Sequence, residues 1–91
     1  MKKILRFPLK ATGEPEVILA PYGSNFVSFG YQAERNHFSM WLLCDNDREP
    51  DTEWKVAVVG TGQDIPDGQS GPVHSCIMPD GYHVFHLVFL S

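Results

Sequence analysis

No lysine or arginine follows Lys55; all seven fixed cations lie between Lys2 and Lys55. The last third of the chain therefore has no permanent positive charge to hold a phosphate backbone. The formal net charge of −4 points the same way: it favours solubility and disfavours nonspecific nucleic-acid binding. Long apolar runs are missing as well. None approaches the roughly 20 residues that cross a bilayer as a helix. Met1-Lys2-Lys3-Ile4-Leu5 starts in the manner of a secretory leader, but Arg6, Pro8 and Lys10 interrupt it before an apolar stretch of useful length. The expected partners include neither a membrane nor a nucleic acid. Cysteine is scarce. Cys44 and Cys76 both sit inside apolar, strand-like runs, which predicts buried free thiols in a reducing cytoplasm.

Helical periodicity is absent too. No segment of helix length carries apolar residues at i, i+3, i+4 and i+7. What is present is a series of strand signals between turn residues. They cover 2–9, 16–20, 26–33, 37–44, 53–59, 73–78 and 82–90. Pro79-Asp80-Gly81 joins the last two as a hairpin, with Pro at the second turn position and Gly in the left-handed region. These strands predict an all-β domain, mostly antiparallel, forming a small sandwich or a partly closed barrel. The 91 residues and their 43% apolar content fit one globular domain, residues 1–91.

A period of two divides each strand into faces. Phe38, Met40, Leu42 and Cys44 share one face, opposite Trp41 and Leu43. Phe85, Leu87 and Phe89 share another, opposite Val84, Val88 and Leu90. These two strands are apolar on both sides and need two covers. In so small a domain the second cover is expected from another subunit, which predicts a homo-oligomer.

The stretch Val58-Val59-Gly60-Thr61-Gly62-Gln63-Asp64-Ile65-Pro66 is the most conspicuous site candidate. A dinucleotide fingerprint needs a third glycine three residues after Gly62, where Ile65 stands. A phosphate-binding P-loop needs a lysine, and none follows. Two readings remain for Gly60, Thr61 and Gly62: a turn that needs glycine for its backbone angles, or a nest of backbone amides that receives an anion or a partner. The loop from Asp45 to Glu53 has acids at alternating positions but fails the calcium-loop pattern. Pro50 takes the glycine position and Val56 the bidentate glutamate position. No serine sits in a Gly-x-Ser-x-Gly elbow, and no Cys or His spacing matches a metal site. If Met78 faces Tyr82 across the last hairpin, His74 faces His86. The expectation is a protein that is not an enzyme, with no catalytic residue, no metal and no cofactor. Its candidate binding residues are Gly60, Thr61 and Gly62, with Trp41 and Trp54 as aromatic interface candidates.

Five segments resemble a known group. They are Lys3-Ile4-Leu5-Arg6-Phe7-Pro8-Leu9, Pro21-Tyr22-Gly23, Met40-Trp41-Leu42-Leu43-Cys44-Asp45 followed by Val58-Val59-Gly60-Thr61-Gly62, and His83-Val84-Phe85-His86. Together the chain resembles a family of small uncharacterised proteins of tailed bacteriophages, a domain of unknown function. Cys44 departs from the family's more usual Val, and the chain runs past His86 to Ser91. The resemblance implies a viral protein made in the host bacterial cytoplasm. It carries no activity, cofactor or residue role. The functional expectation is a phage accessory protein that binds a host factor or small ligand, countering host defence. The alternatives are a sponge that sequesters a nucleotide signal, or a small virion component.

Overall fold

A computed structural model describes residues 1–91, with seven strands and no helix. In chain order they are β1 (Lys2–Leu9), β2 (Glu16–Ala20), β3 (Asn25–Gln32), β4 (His37–Asp45), β5 (Thr52–Gly60), β6 (His74–Ile77) and β7 (Val84–Leu90). β-branched and aromatic residues fill them, and turn residues bound them. At Glu34-Arg35-Asn36, for example, the chain reverses with Asn36 in the left-handed region (φ 53°), and the Arg35 amide donates to the Gln32 carbonyl at 3.1 Å.

The strands form two antiparallel sheets, ordered β1-β4-β3 and β2-β5-β7-β6. They pack as an open sandwich and do not close into a barrel. The facing sides are those read from the alternation. Phe38, Met40, Leu42 and Cys44 meet Val56, Val58 and Leu87 in one fully or nearly fully buried core. Burying each large aliphatic side chain contributes about 1.5–3 kcal/mol. Aromatic edges seal it: Phe38 lies 4.9 Å from Phe85 and Phe26 lies 5.3 Å from Phe89, ring centre to ring centre. Between Phe26 and Ser28 the register of β3 against β4 slips, a β-bulge at Val27.

Both cysteines are free. Cys44 is buried, whereas Cys76 is only partly covered, because β6 is an edge strand. The last hairpin also departs from expectation by one residue. The Met78 amide donates to the His83 carbonyl at 2.8 Å, so the loop has four residues, 79–82. The turn within it is as read: the Gly81 amide donates to the Met78 carbonyl at 2.9 Å, with Gly81 at φ 75°. The additional residue, Tyr82, shifts the register. Ser75, not His74, faces His86. His74 instead turns inward, 4.2 Å from the Phe26 ring.

The outer face of β7 is covered by the chain itself. Ala57, Val59, Val88 and Leu90 form a second buried cluster there. The connection from β5 to β6, residues 61–73, starts at Gly60 opposite Phe85 and reaches Gln69 opposite Leu90. It thus runs the length of β7. Ser70 donates its amide to the Phe89 carbonyl at 2.9 Å, and the Ser91 amide donates to the Gly68 carbonyl at 2.8 Å, which fastens the far end. For β7, then, no second subunit is needed as a cover. The outer face of β4 has no such cover.

Candidate functional site

The Gly60–Gln63 turn stands where β5, β7 and the 61–73 connection meet, and two open grooves flank it. One, of about 430 Å3, lies between the turn and Tyr82, His83 and Phe85. The other lies toward Ile65, Val73 and His86. The amides of this turn, for which a nest and a structural turn were both open readings, are mostly engaged within the fold. Gly60 N donates to Gln63 Oε1 at 2.7 Å. Thr61 N donates to the Val84 carbonyl at 3.2 Å and Gln63 N to the Gly60 carbonyl at 3.1 Å. Of the four amides only that of Gly62 is left for a ligand. Gly62 itself has φ 89°, which explains the glycine as a turn requirement.

The Thr61 hydroxyl is the chemically distinctive part. Its Oγ1 lies 3.2 Å from the Val84 carbonyl oxygen and 2.8 Å from Nε2 of His86. On the other side of the same ring, Nδ1 lies 2.7 Å from Ser75 Oγ. One histidine is thus clasped between two hydroxyls, from β6 and from the end of β5. No carboxylate joins them, and the turn's amides are largely used within the fold. Sequence reasoning missed this cluster because the one-residue register error put His74 opposite His86. The loop length, had it been known, would have revealed Ser75.

The hairpin tip is held by a second cluster. The Asp80 carboxylate accepts from the Tyr82 amide (2.8 Å), from the His83 amide (3.1 Å) and from His83 Nδ1. The His83 side-chain bond, then the two backbone bonds, lowers the Asp80 pKa to about 2. Tyr82 projects from this ordered tip, 88% exposed. Ile77, 67% exposed, faces Val84 across the hairpin, and Ile65 and Val73 are partly exposed beside His86. The result is an apolar rim around a small polar centre.

Trp41 and Trp54 are not brought to this place. Trp54 faces the interior at the opposite end of β5, with its ring 5.8 Å from Phe89. Six residues of strand, about 20 Å, separate it from Gly60. Trp41 lies on the outer face of the other sheet, half-buried, where a Cβ at Gly30 would come within 3.7 Å of its ring. Beside it Arg6 Nη1 donates to His37 Nε2 at 2.8 Å and to Ser39 Oγ at 3.4 Å.

The chain belongs to the family described as a domain of unknown function (DUF7352), which matches residues 1–91. No curated protein and no solved structure matches it significantly. No helix of the chain is long and apolar enough to cross a membrane.

Proposed function

We propose that this DUF7352 domain is a non-enzymatic binding module of a tailed bacteriophage, working in the host bacterial cytoplasm by docking a basic segment of a host protein, with host defence as its setting. The viral origin rests on the sequence resemblance. The observation that carries the docking reading is the exposed apolar rim of Tyr82, Ile77, Ile65 and Val73, with Val84 half-buried among them, on a stretch of chain whose fixed charges are all negative. From residue 61 onward these are Asp64, Asp67 and Asp80. Exposed aromatic and aliphatic side chains anchor protein partners, and complementary charge selects among them. Asp80 supports the same reading, since a tip ordered in advance loses little entropy on binding. A nucleotide sponge fits less well, because no lysine or arginine lines either groove beside the turn to hold a phosphate.

Pull-down of host lysate with the wild-type domain and with Tyr82→Ala/Ile77→Asp tests the reading. The expected result is a host protein with a basic surface, captured at low salt, weakened by high salt and lost in the double variant. Capture that survives the double variant, co-elution of a nucleotide instead, or recovery only of virion proteins would overturn it.

A further inference from the structure

The Ser75–His86–Thr61 cluster has a direction. The Thr61 hydroxyl has one proton and two neighbours, the Val84 carbonyl and His86 Nε2. If it donates to the ring, the Val84 contact is lost and Nδ1–H must donate to Ser75. If it donates to the Val84 carbonyl, it accepts from Nε2–H, and Ser75 donates to Nδ1. Of the two neutral tautomers, only this second one satisfies all three contacts. It makes a chain in which Ser75 O–H donates to Nδ1, Nε2–H donates to Thr61 Oγ1, and Thr61 O–H donates to the backbone. Its outward end is Ser75 Oγ on an exposed edge strand, whose one proton is committed inward. That oxygen offers lone pairs and nothing else.

We infer that the Thr61–His86–Ser75 relay is a recognition subsite for a cationic N–H donor, a lysine or arginine side chain, and that protonation of His86 switches it off. The choice of a basic ligand rests on the docking reading above; the direction of the relay does not. When His86 gains a proton, both ring nitrogens donate. Ser75 must then accept from Nδ1–H and turn its own proton outward. The subsite changes from acceptor to donor and gains a positive charge, and both changes repel a cation. The groups packed about the ring carry no charge. Val59 faces it from β5 and Ser75 from β6, and Thr61, Gln63, Ile65 and Val73 line the adjoining groove. The titratable groups of the surrounding segments, Asp64, Asp67 and the Asp80–His83 pair, make no hydrogen bond or ion pair with it.

Nitrogen NMR of the histidine rings in the free domain tests the direction. Neutral His86 is expected as the Nε2–H tautomer, and Ser75→Ala should release Nδ1 to water without unfolding the domain. A dominant Nδ1–H tautomer would overturn the relay. The subsite is tested by titrating N-acetyl-arginine amide and N-acetyl-lysine amide, with N-acetyl-norleucine amide as the uncharged control. Amide shifts at Thr61, Ser75 and His86 should saturate with a cationic probe near pH 8. They should weaken about tenfold or more near pH 5 and vanish in Ser75→Ala. Equal binding at both pH values, equal binding of the uncharged control, or no localised shifts would reject the subsite. The docking reading is judged separately, by loss of host-protein capture in Tyr82→Ala/Ile77→Asp, where Ser75 and His86 remain intact.

Discussion

β4 and β7 carry the same signature, apolar residues on both faces, and the fold meets the second-face problem in two ways. Over β7 the chain lays its own 61–73 connection, and Val88 is completely buried although it points away from the sandwich core. Over β4 there is no connection. Trp41 rests on the space left by Gly30, and Leu43 lies beside Ile4 of β1, which is 58% exposed. An Arg6–His37–Ser39 network borders them. A strand that reads as central on both sides therefore says only that its second face is partly withdrawn from water. It does not say what withdraws it. For β7 the answer is intramolecular. For β4 a second copy of the chain stays as the proposal, and light scattering that gives only the mass of one 10.2 kDa chain at micromolar concentration would remove it.

The sharpest way to break the comparison is to place one charge on each outer face. Val88→Asp buries a carboxylate without a partner, at a cost of several kcal/mol, which approaches the whole stability of a small domain. Leu43→Asp, half-exposed, is expected to cost about 1 kcal/mol or less. Chemical denaturation should find the first variant unfolded and the second folded; equal effects would mean that the 61–73 connection does not shield its face. Next in size is the fastening of that connection. Gly68 has φ 96°, and a Cβ there would come within 3.0 Å of the Ser91 carbonyl oxygen. Gly68→Ala therefore adds a clash to backbone strain of about 1 kcal/mol. Gly62→Ala has the strain alone, since nothing lies within 4 Å. The Gly68 variant should melt lower than the Gly62 variant, with faster amide exchange at Phe89 to Ser91.

Smaller again is Thr61→Val. It keeps the β-branched shape and removes the hydroxyl that ties the turn to His86 and Val84. Because the site is exposed, about 0.5–1 kcal/mol of stability should be lost, visible as a small drop in melting temperature. The mildest effect is acidic. Asp80 has its pKa lowered to about 2 in the folded hairpin, against about 4 in an unfolded chain. Its contribution is present above about pH 4 and is lost as pH falls toward 2. Amide signals of Tyr82 and His83 should shift through that window while those of β4 stay in place. A hairpin tip unchanged down to pH 2 would contradict the role given to Asp80.

How far the sequence carried differs with the interaction that decides each feature. Strands and inward faces depend on local alternation, and every strand lies within two residues of its predicted bounds. An all-β fold followed from that pattern, but the choice between a sandwich and a partly closed barrel did not; it rests on which strands pair. The placement of residues 61–73 did not, because Gln63 to Ser70 has no periodicity. Its path is set by backbone bonds to Phe89 and Ser91, far away in the chain. The His86 cluster failed for a narrower reason. Turn type was legible from Pro79-Asp80-Gly81, but loop length was not, and one residue of register exchanges the two faces of β6. Trp41 and Trp54 were read as candidates by residue type alone, and type does not tell an inward face from an outward one.

The bulge in β3 has a consequence for how the domain behaves in a crowded solution. β1 and β3 both leave an open row of backbone donors and acceptors at the margins of their sheet. β1 carries Lys2, Lys3, Arg6 and Pro8, which discourage another strand from adding alongside. β3, from Asn25 to Gln32, has no charge and no proline, and its Phe, Val and Tyr content is that of a segment that templates aggregation. The slip between Phe26 and Ser28 breaks its otherwise regular spacing, so that no straight strand can match it from end to end. One surplus residue thus does on one margin what four side chains do on the other, and deleting Val27 should convert a well-behaved domain into one that associates edge to edge.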